Sequence, residues 1–80
     1  MLLNKPGLCT VQDVRGKTLQ AAKRSLARTN CRAGKVSRAY DKRIGRGRVI
    51  YPRPWFGADL PGGAKVNLVM SLGWPPRRRG

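Results

Sequence analysis

The stretch from Arg38 to Trp55 carries the side chains best suited to hold a ligand: Arg38, Tyr40, Arg46, Arg48, Tyr51, Arg53 and Trp55. A guanidinium is a planar fork that meets a carboxylate or phosphate with two parallel hydrogen bonds. Aromatic rings add broad faces that pack on sugar rings or peptide at little cost in rotamer freedom. Each residue also has a plainer reading. Arginines on a small domain usually form a solvated face. A Trp beside Pro54 and Phe56 is more often an edge of the core than a ligand platform.

Reactive chemistry finds few groups to work with. The 80 residues hold 18 Lys plus Arg against three acids, Asp13, Asp41 and Asp59, with no Glu and no His, for a formal net charge of +15. Acid/base catalysis near neutral pH runs on His or on carboxylates tuned by close neighbours, and these three Asp offer no local pair. Ser25, Ser37 and Ser71 lack an imidazole to activate them, so only a Ser/Lys arrangement escapes the objection. Two Cys without His cannot close a zinc site within one chain. The expectation is a binding or structural module that is not an enzyme and uses neither metal nor cofactor.

Cys9 and Cys31 carry the remaining chemistry. An even count in a small chain fits one disulfide, and it fits equally a pair of buried reduced thiols in a cytosolic protein. The difference matters, because below about 70 to 80 residues a core alone supplies only about 3 to 5 kcal/mol. Closing the intervening loop would add about 3 kcal/mol. Compartment signals are sparse. Met1 to Leu3 give way at once to Asn4, Lys5, Pro6 and Gly7, too short for the apolar centre of a signal peptide. No run reaches the 18 or so apolar residues of a membrane span. Such a chain is either cytosolic or a piece of a longer exported protein.

The elements that must position these residues follow from periodicity. Residues 1 to 8 read as a flexible lead-in, and Cys9 to Val14 as an extended stretch with Val11 and Val14 inward. Thr18 is a helix N-cap, followed from Leu19 to Thr29 by a run free of Gly and Pro. Leu19, Ala22 and Leu26 form its apolar stripe, Gln20, Arg24 and Arg28 its outer face, and Asn30 its end. Gly34 to Tyr40 alternates as a strand, with Val36 and Tyr40 on one side and Ser37 on the other. Asp41 to Arg48 is a basic loop. Val49 and Ile50 begin a strand that Pro52 and Pro54 confine to an edge or an end. Trp55 to Gly63 reads as a turn-rich connection. Lys65 to Leu72 is the clearest strand, with Val66, Leu68, Met70 and Leu72 on one face and Asn67 and Ser71 on the other. The tail from Trp74 to Gly80 has Pro and Arg without periodicity and is expected to be disordered. The fold class is α+β, one helix laid on a small sheet.

In this order the segments resemble a PASTA domain, the small module found on bacterial penicillin-binding proteins and serine/threonine kinases. The matching pieces are VQDV at Val11 to Val14, Gly16, TLQAAKRSL from Thr18, GKVSRAY from Gly34, GRVI from Gly47, Pro54 with Gly57, and GAKVNLVMSLG from Gly63. The resemblance covers Cys9 to Gly73 and implies a single domain there, with one helix on a three-stranded sheet in β-α-β-β order. It implies no catalysis, no cofactor, and a place outside the cytoplasmic membrane. It further implies a ligand class of uncrosslinked peptidoglycan, its stem peptides and β-lactams. Cysteines at the first strand and after the helix resemble a disulfide-bearing variant from secreted bacterial proteins, which implies that Cys9 and Cys31 are bonded.

Three functions follow as expectations. The first is an extracellular cell-wall module, a monomer that binds peptidoglycan fragments or anionic wall polymers through Arg38, Tyr40, Arg46, Arg48, Tyr51, Arg53 and Trp55. The second is non-specific nucleic-acid binding, for which the net charge and the runs Arg46-Gly47-Arg48 and Arg77 to Arg79 speak. Against it, neither a DNA-reading helix nor an RNP-type aromatic pair is present. The third is a spacer within a larger exported protein. The charge is spread over helix, loop and tail, which suits a soluble, adhesive surface better than a sequence-reading groove.

Overall fold

The computed structural model describes residues 7–76. Helix α1 spans Leu19–Arg28, with Thr18 in extended backbone at the N-cap and its hydroxyl accepting from the Ala21 N–H. Ala22 and Leu26 are buried and Leu19 packs partly buried beside them, which is the stripe that the sequence spacing predicts. The end of α1 is a Schellman motif: Asn30 N–H donates to the Ala27 carbonyl and Cys31 N–H to the Leu26 carbonyl. Asn30 takes the left-handed conformation (φ 69°), which Asn tolerates better than most residues. That turn delivers Cys31 directly into the core.

Five strands accompany the helix among the described residues: β1 (Leu8–Thr10), β2 (Arg32–Ala39), β3 (Val49–Arg53), β4 (Asp59–Pro61) and β5 (Lys65–Ser71). The main sheet has the order β2-β5-β3, with β5 parallel to β2 and antiparallel to β3. As its alternation suggests, β5 turns Val66, Leu68 and Met70 into the core. Proline in β3 is tolerated because that strand lies at the sheet's edge. A bulge interrupts β2 between Ala33 and Val36, and the Lys35 N–H there donates to Asn67 Oδ1. Gly34 leaves room for this contact, since a Cβ would lie 2.5 Å from that oxygen and would push the Asn67 side chain off the Lys35 N–H.

Four expectations need correction. The connection from Trp55 to Gly63 contains β4, which pairs antiparallel with β1 as a second, two-stranded sheet. Three residues ending in Pro show no alternation to read, and their partner lies at the other end of the chain. The first strand begins at Leu8, one residue before the expected Cys9, and stops at Thr10, short of the expected Val14. Val11 and Val14 are buried as expected, but on the irregular segment that follows. Ser71 does not face outward with Asn67: it is 2 % exposed, and its hydroxyl donates to the Ile44 carbonyl while accepting from Gly73 N–H. The strand expected from Gly34 to Tyr40 runs from Arg32 to Ala39, so Tyr40 lies just past its end, and it is half exposed. Of the expected lead-in and tail, residues 1–6 and 77–80 lie outside the described residues.

Cys9 and Cys31 form a disulfide, and both are buried within the core cluster of Val11, Val14, Ala22, Leu26, Val49, Val66, Leu68 and Met70. The bond ties the β1–β4 ribbon to the end of α1, which joins the small sheet to the rest of the fold. No helix among the described residues is long and apolar enough to cross a membrane.

Candidate functional site

An open cleft of about 260 Å³ lies beside β3, lined by Arg15, Asp41, Arg43, Ile44, Ile50, Tyr51 and Trp55. Alternation along β3 places Tyr51 in register with Val69 of β5, and the chain then turns to present Trp55, 51 % exposed. Trp55 is not a core-edge residue, as its neighbours suggest; Phe56 fills that place, partly buried against the core. The two rings lie 4.7 Å apart between centroids, and Tyr51 is 6.1 Å from Trp55. Trp55 is therefore held by contact with an anchored ring while one side stays open to solvent.

Arg15 completes the support. Its guanidinium carbon sits 4.6 Å from the Phe56 ring centroid and 5.4 Å from that of Trp55. Asp13 receives two hydrogen bonds from the same guanidinium, Nε to Oδ1 at 2.8 Å and Nη2 to Oδ2 at 2.9 Å. That pairing holds the Asp13 carboxyl below its usual range, chiefly through the side-chain hydrogen bond. It is the one salt bridge among the described residues. With its fork engaged by Asp13, Arg15 is a positioning group.

The opposite wall comes from the loop after β2. Asp41 Oδ1 accepts from the backbone N–H groups of Arg43 (2.7 Å) and Ile44 (2.9 Å), an Asx turn that sets the direction in which the loop leaves the strand. Among the described residues the Arg43 side chain has no carboxylate partner. The cleft thus joins an open aromatic face, one uncompensated cation and one carboxylate.

The seven residues singled out in the sequence do not form one cluster. Tyr51 and Trp55 share this cleft. Arg53 flanks it, its guanidinium 6.0 Å from the Tyr51 ring centroid. Arg48 has a structural contact, donating to the Gly16 carbonyl at 2.8 Å beside its backbone bridge to Thr18. Tyr40 lines neither this cleft nor the next. Arg38 and Arg46 line a separate cleft with Leu19, Gly47, Met70, Ser71 and Leu72. Sequence reasoning missed Arg15, Asp41, Arg43, Ile44 and Ile50. One signal was present: Asp13 and Asp41 each stand two residues before an Arg, the spacing at which an Asp side chain accepts from the backbone N–H of the second residue along. Among the described residues no three His, Cys, Asp or Glu come together.

The PASTA domain family model matches residues 10–72. The extracellular region of the Ser/Thr kinase PrkC from Staphylococcus aureus superposes with a TM-score of 0.76 at 30 % identity, over 79 % of this chain and 22 % of that one. The three-PASTA-domain portion of a Ser/Thr kinase from the same organism gives 0.74 at 31 % identity, over 78 % of this chain and 31 % of that one. This chain thus spans less than a third of either structure. The chain belongs to the PASTA domain family, whose members are non-catalytic modules.

Proposed function

We propose that this chain is an extracellular cell-wall module that binds peptidoglycan fragments or anionic wall polymers in the aromatic cleft beside β3. The observation that carries the reading is Trp55: a large ring, half exposed, held on one side by Phe56 and Arg15, in a cleft with Arg43, which has no carboxylate partner among the described residues. A sugar ring or the apolar part of a stem peptide packs on the indole, and a carboxylate or phosphate takes the Arg43 fork. Asp41 offers a carboxylate to an amine on the same ligand. An extracellular place is supported by the disulfide, which persists in oxidising compartments, and by the extracellular region to which the chain is similar.

The test is titration with purified muropeptides at moderate salt, followed by the indole fluorescence and by backbone amide shifts. Saturable binding that perturbs Tyr51, Trp55 and Arg43, and that Trp55→Ala and Arg43→Gln each weaken at least about tenfold, supports the reading; tenfold is about 1.4 kcal/mol. No saturable binding would leave a spacer domain. Tighter binding to random duplex DNA, collapsing steeply as salt rises, would assign the charge to nucleic acid instead.

A further inference from the structure

The second cleft differs in character from the first. Its volume is about 250 Å³, and its lining joins three apolar side chains, Leu19, Met70 and Leu72, to two arginines, Arg38 and Arg46. We propose that it is a separate binding site for a small anion carried on a short apolar body, an alkyl phosphate or alkyl carboxylate.

The first argument is strand register. Val36 is paired with Leu68 and Arg38 with Met70, so β2 sends both side chains to the face of the sheet that Leu68 and Met70 share with the core. An apolar residue at position 38 would extend the core by one layer. A guanidinium there instead leaves Met70 and its neighbours at the base of an opening, with a charge at the rim and the side-chain methylenes along the wall. The second argument is charge. None of the three carboxylates lines this cleft: Asp13 holds Arg15, Asp41 holds the N–H groups of Arg43 and Ile44, and Asp59 accepts from the Thr10 hydroxyl. Among the described residues no carboxylate pairs with either arginine, so two like charges line one opening without a counterion, and a bound anion relieves their repulsion.

The third argument is that the rim is fixed before any ligand arrives. Gly47 N–H donates to the Ser71 carbonyl, and Ser71 Oγ donates to Ile44, so the loop carrying Arg46 is fastened to the end of β5 at two points. Gly73 packs against it so closely that a Cβ there would lie 3.4 Å from Arg46 Cβ. The volume restricts the ligand, since pockets for drug-sized molecules begin at about 300 Å³. Two guanidiniums select carboxylate or phosphate, and the apolar base selects a body of a few carbons. Because the lining shares no residue with the aromatic cleft, the site stands or falls independently of muropeptide binding.

The experiment uses the oxidised chain and n-butyl phosphate, with inorganic phosphate as the comparison, followed by backbone amide shifts. Butyl phosphate should bind saturably and at least about tenfold tighter than phosphate, the excess coming from burial of the butyl group. Its shifts should centre on Leu19, Gly47 and Leu72. Arg38→Gln and Arg46→Gln should each weaken it at least about fivefold, and Leu72→Ser should remove the preference over phosphate. Equal affinity for the two anions, or shifts spread over all the arginines, would overturn the proposal in favour of unspecific charge attraction.

Discussion

Reduction of the Cys9–Cys31 bond should bring this domain close to unfolding. The two residues are 22 apart in sequence, and in the chain-entropy treatment a loop of that length restricts the unfolded state by about 3.4 kcal/mol at 25 °C. A core of this size supplies about 3 to 5 kcal/mol alone, so the bond accounts for a large share of the whole. The measurement is urea unfolding followed by far-ultraviolet circular dichroism, on the oxidised chain, on the chain reduced with excess phosphine, and on Cys9→Ala/Cys31→Ala. Alanine is preferable to serine because both positions are buried, and a hydroxyl there would add a desolvation cost of its own. With m near 1 kcal/mol/M, the low end for small domains, the midpoint should fall by about 3 M. The slope should rise on reduction, because an uncrosslinked unfolded chain exposes more surface. A reduced chain whose midpoint stays within about 0.5 M of the oxidised one, at unchanged slope, would refute the loop-entropy reasoning.

Thr18→Ala removes the hydroxyl that accepts from Ala21 N–H at the start of α1; the loss should be about 1 kcal/mol, a fall of about 4 to 8 °C in thermal midpoint. Leu26→Ala empties a fully buried position that packs with the disulfide and β5, costing about 2 to 5 kcal/mol and leaving little folded protein in circular dichroism at 37 °C. Asp13 contributes stability that is full above its ordinary value of 3.8 and is lost as pH falls through the lower folded value. Asp13→Asn should flatten that acid limb, read as the urea midpoint between pH 5 and pH 2; the change is small because both partners are nearly half exposed, at 44 % and 45 %.

Much of the scaffold was legible because its signals are local. Thr18, the Leu19/Ala22/Leu26 spacing and Asn30 mark a helix by capping and period, and the alternation of β5 from Val66 to Met70 reads directly as a half-buried strand. What stayed hidden depends on partners far along the chain. β4 is a strand only because β1 lies against it, in a register that runs from Leu8 with Pro61 to Thr10 with Asp59. Ser71 is polar and yet buried because a loop nearly thirty residues earlier brings the Ile44 carbonyl to its hydroxyl, a separation of 27. The candidate site divides in the same way. Tyr51 and Trp55 were visible as aromatics among arginines. Arg15 was not, because it reaches those rings only when the segment before α1 packs against the turn after β3.

The acids show how so basic a chain directs its charge. Three carboxylates cannot neutralise 18 cations, and none is used to pair charge across the domain at large. Asp13 and Asp41 each close a local turn, and each turn sets one wall of the aromatic cleft. Asp59 joins the two strands of the small sheet through Thr10. The acids therefore act as local fasteners, and one cation alone among the described residues, Arg15, is paired. Arg15 is also the guanidinium that stacks on Trp55 and Phe56, where a free fork would compete with the ligand for the same face. Arg43 lines one cleft, and Arg38 with Arg46 the other, with no carboxylate partner among the described residues. Scarcity of acid thus divides the arginines: the one that stacks on the rings has a carboxylate, and Arg38, Arg43 and Arg46 have none among the described residues.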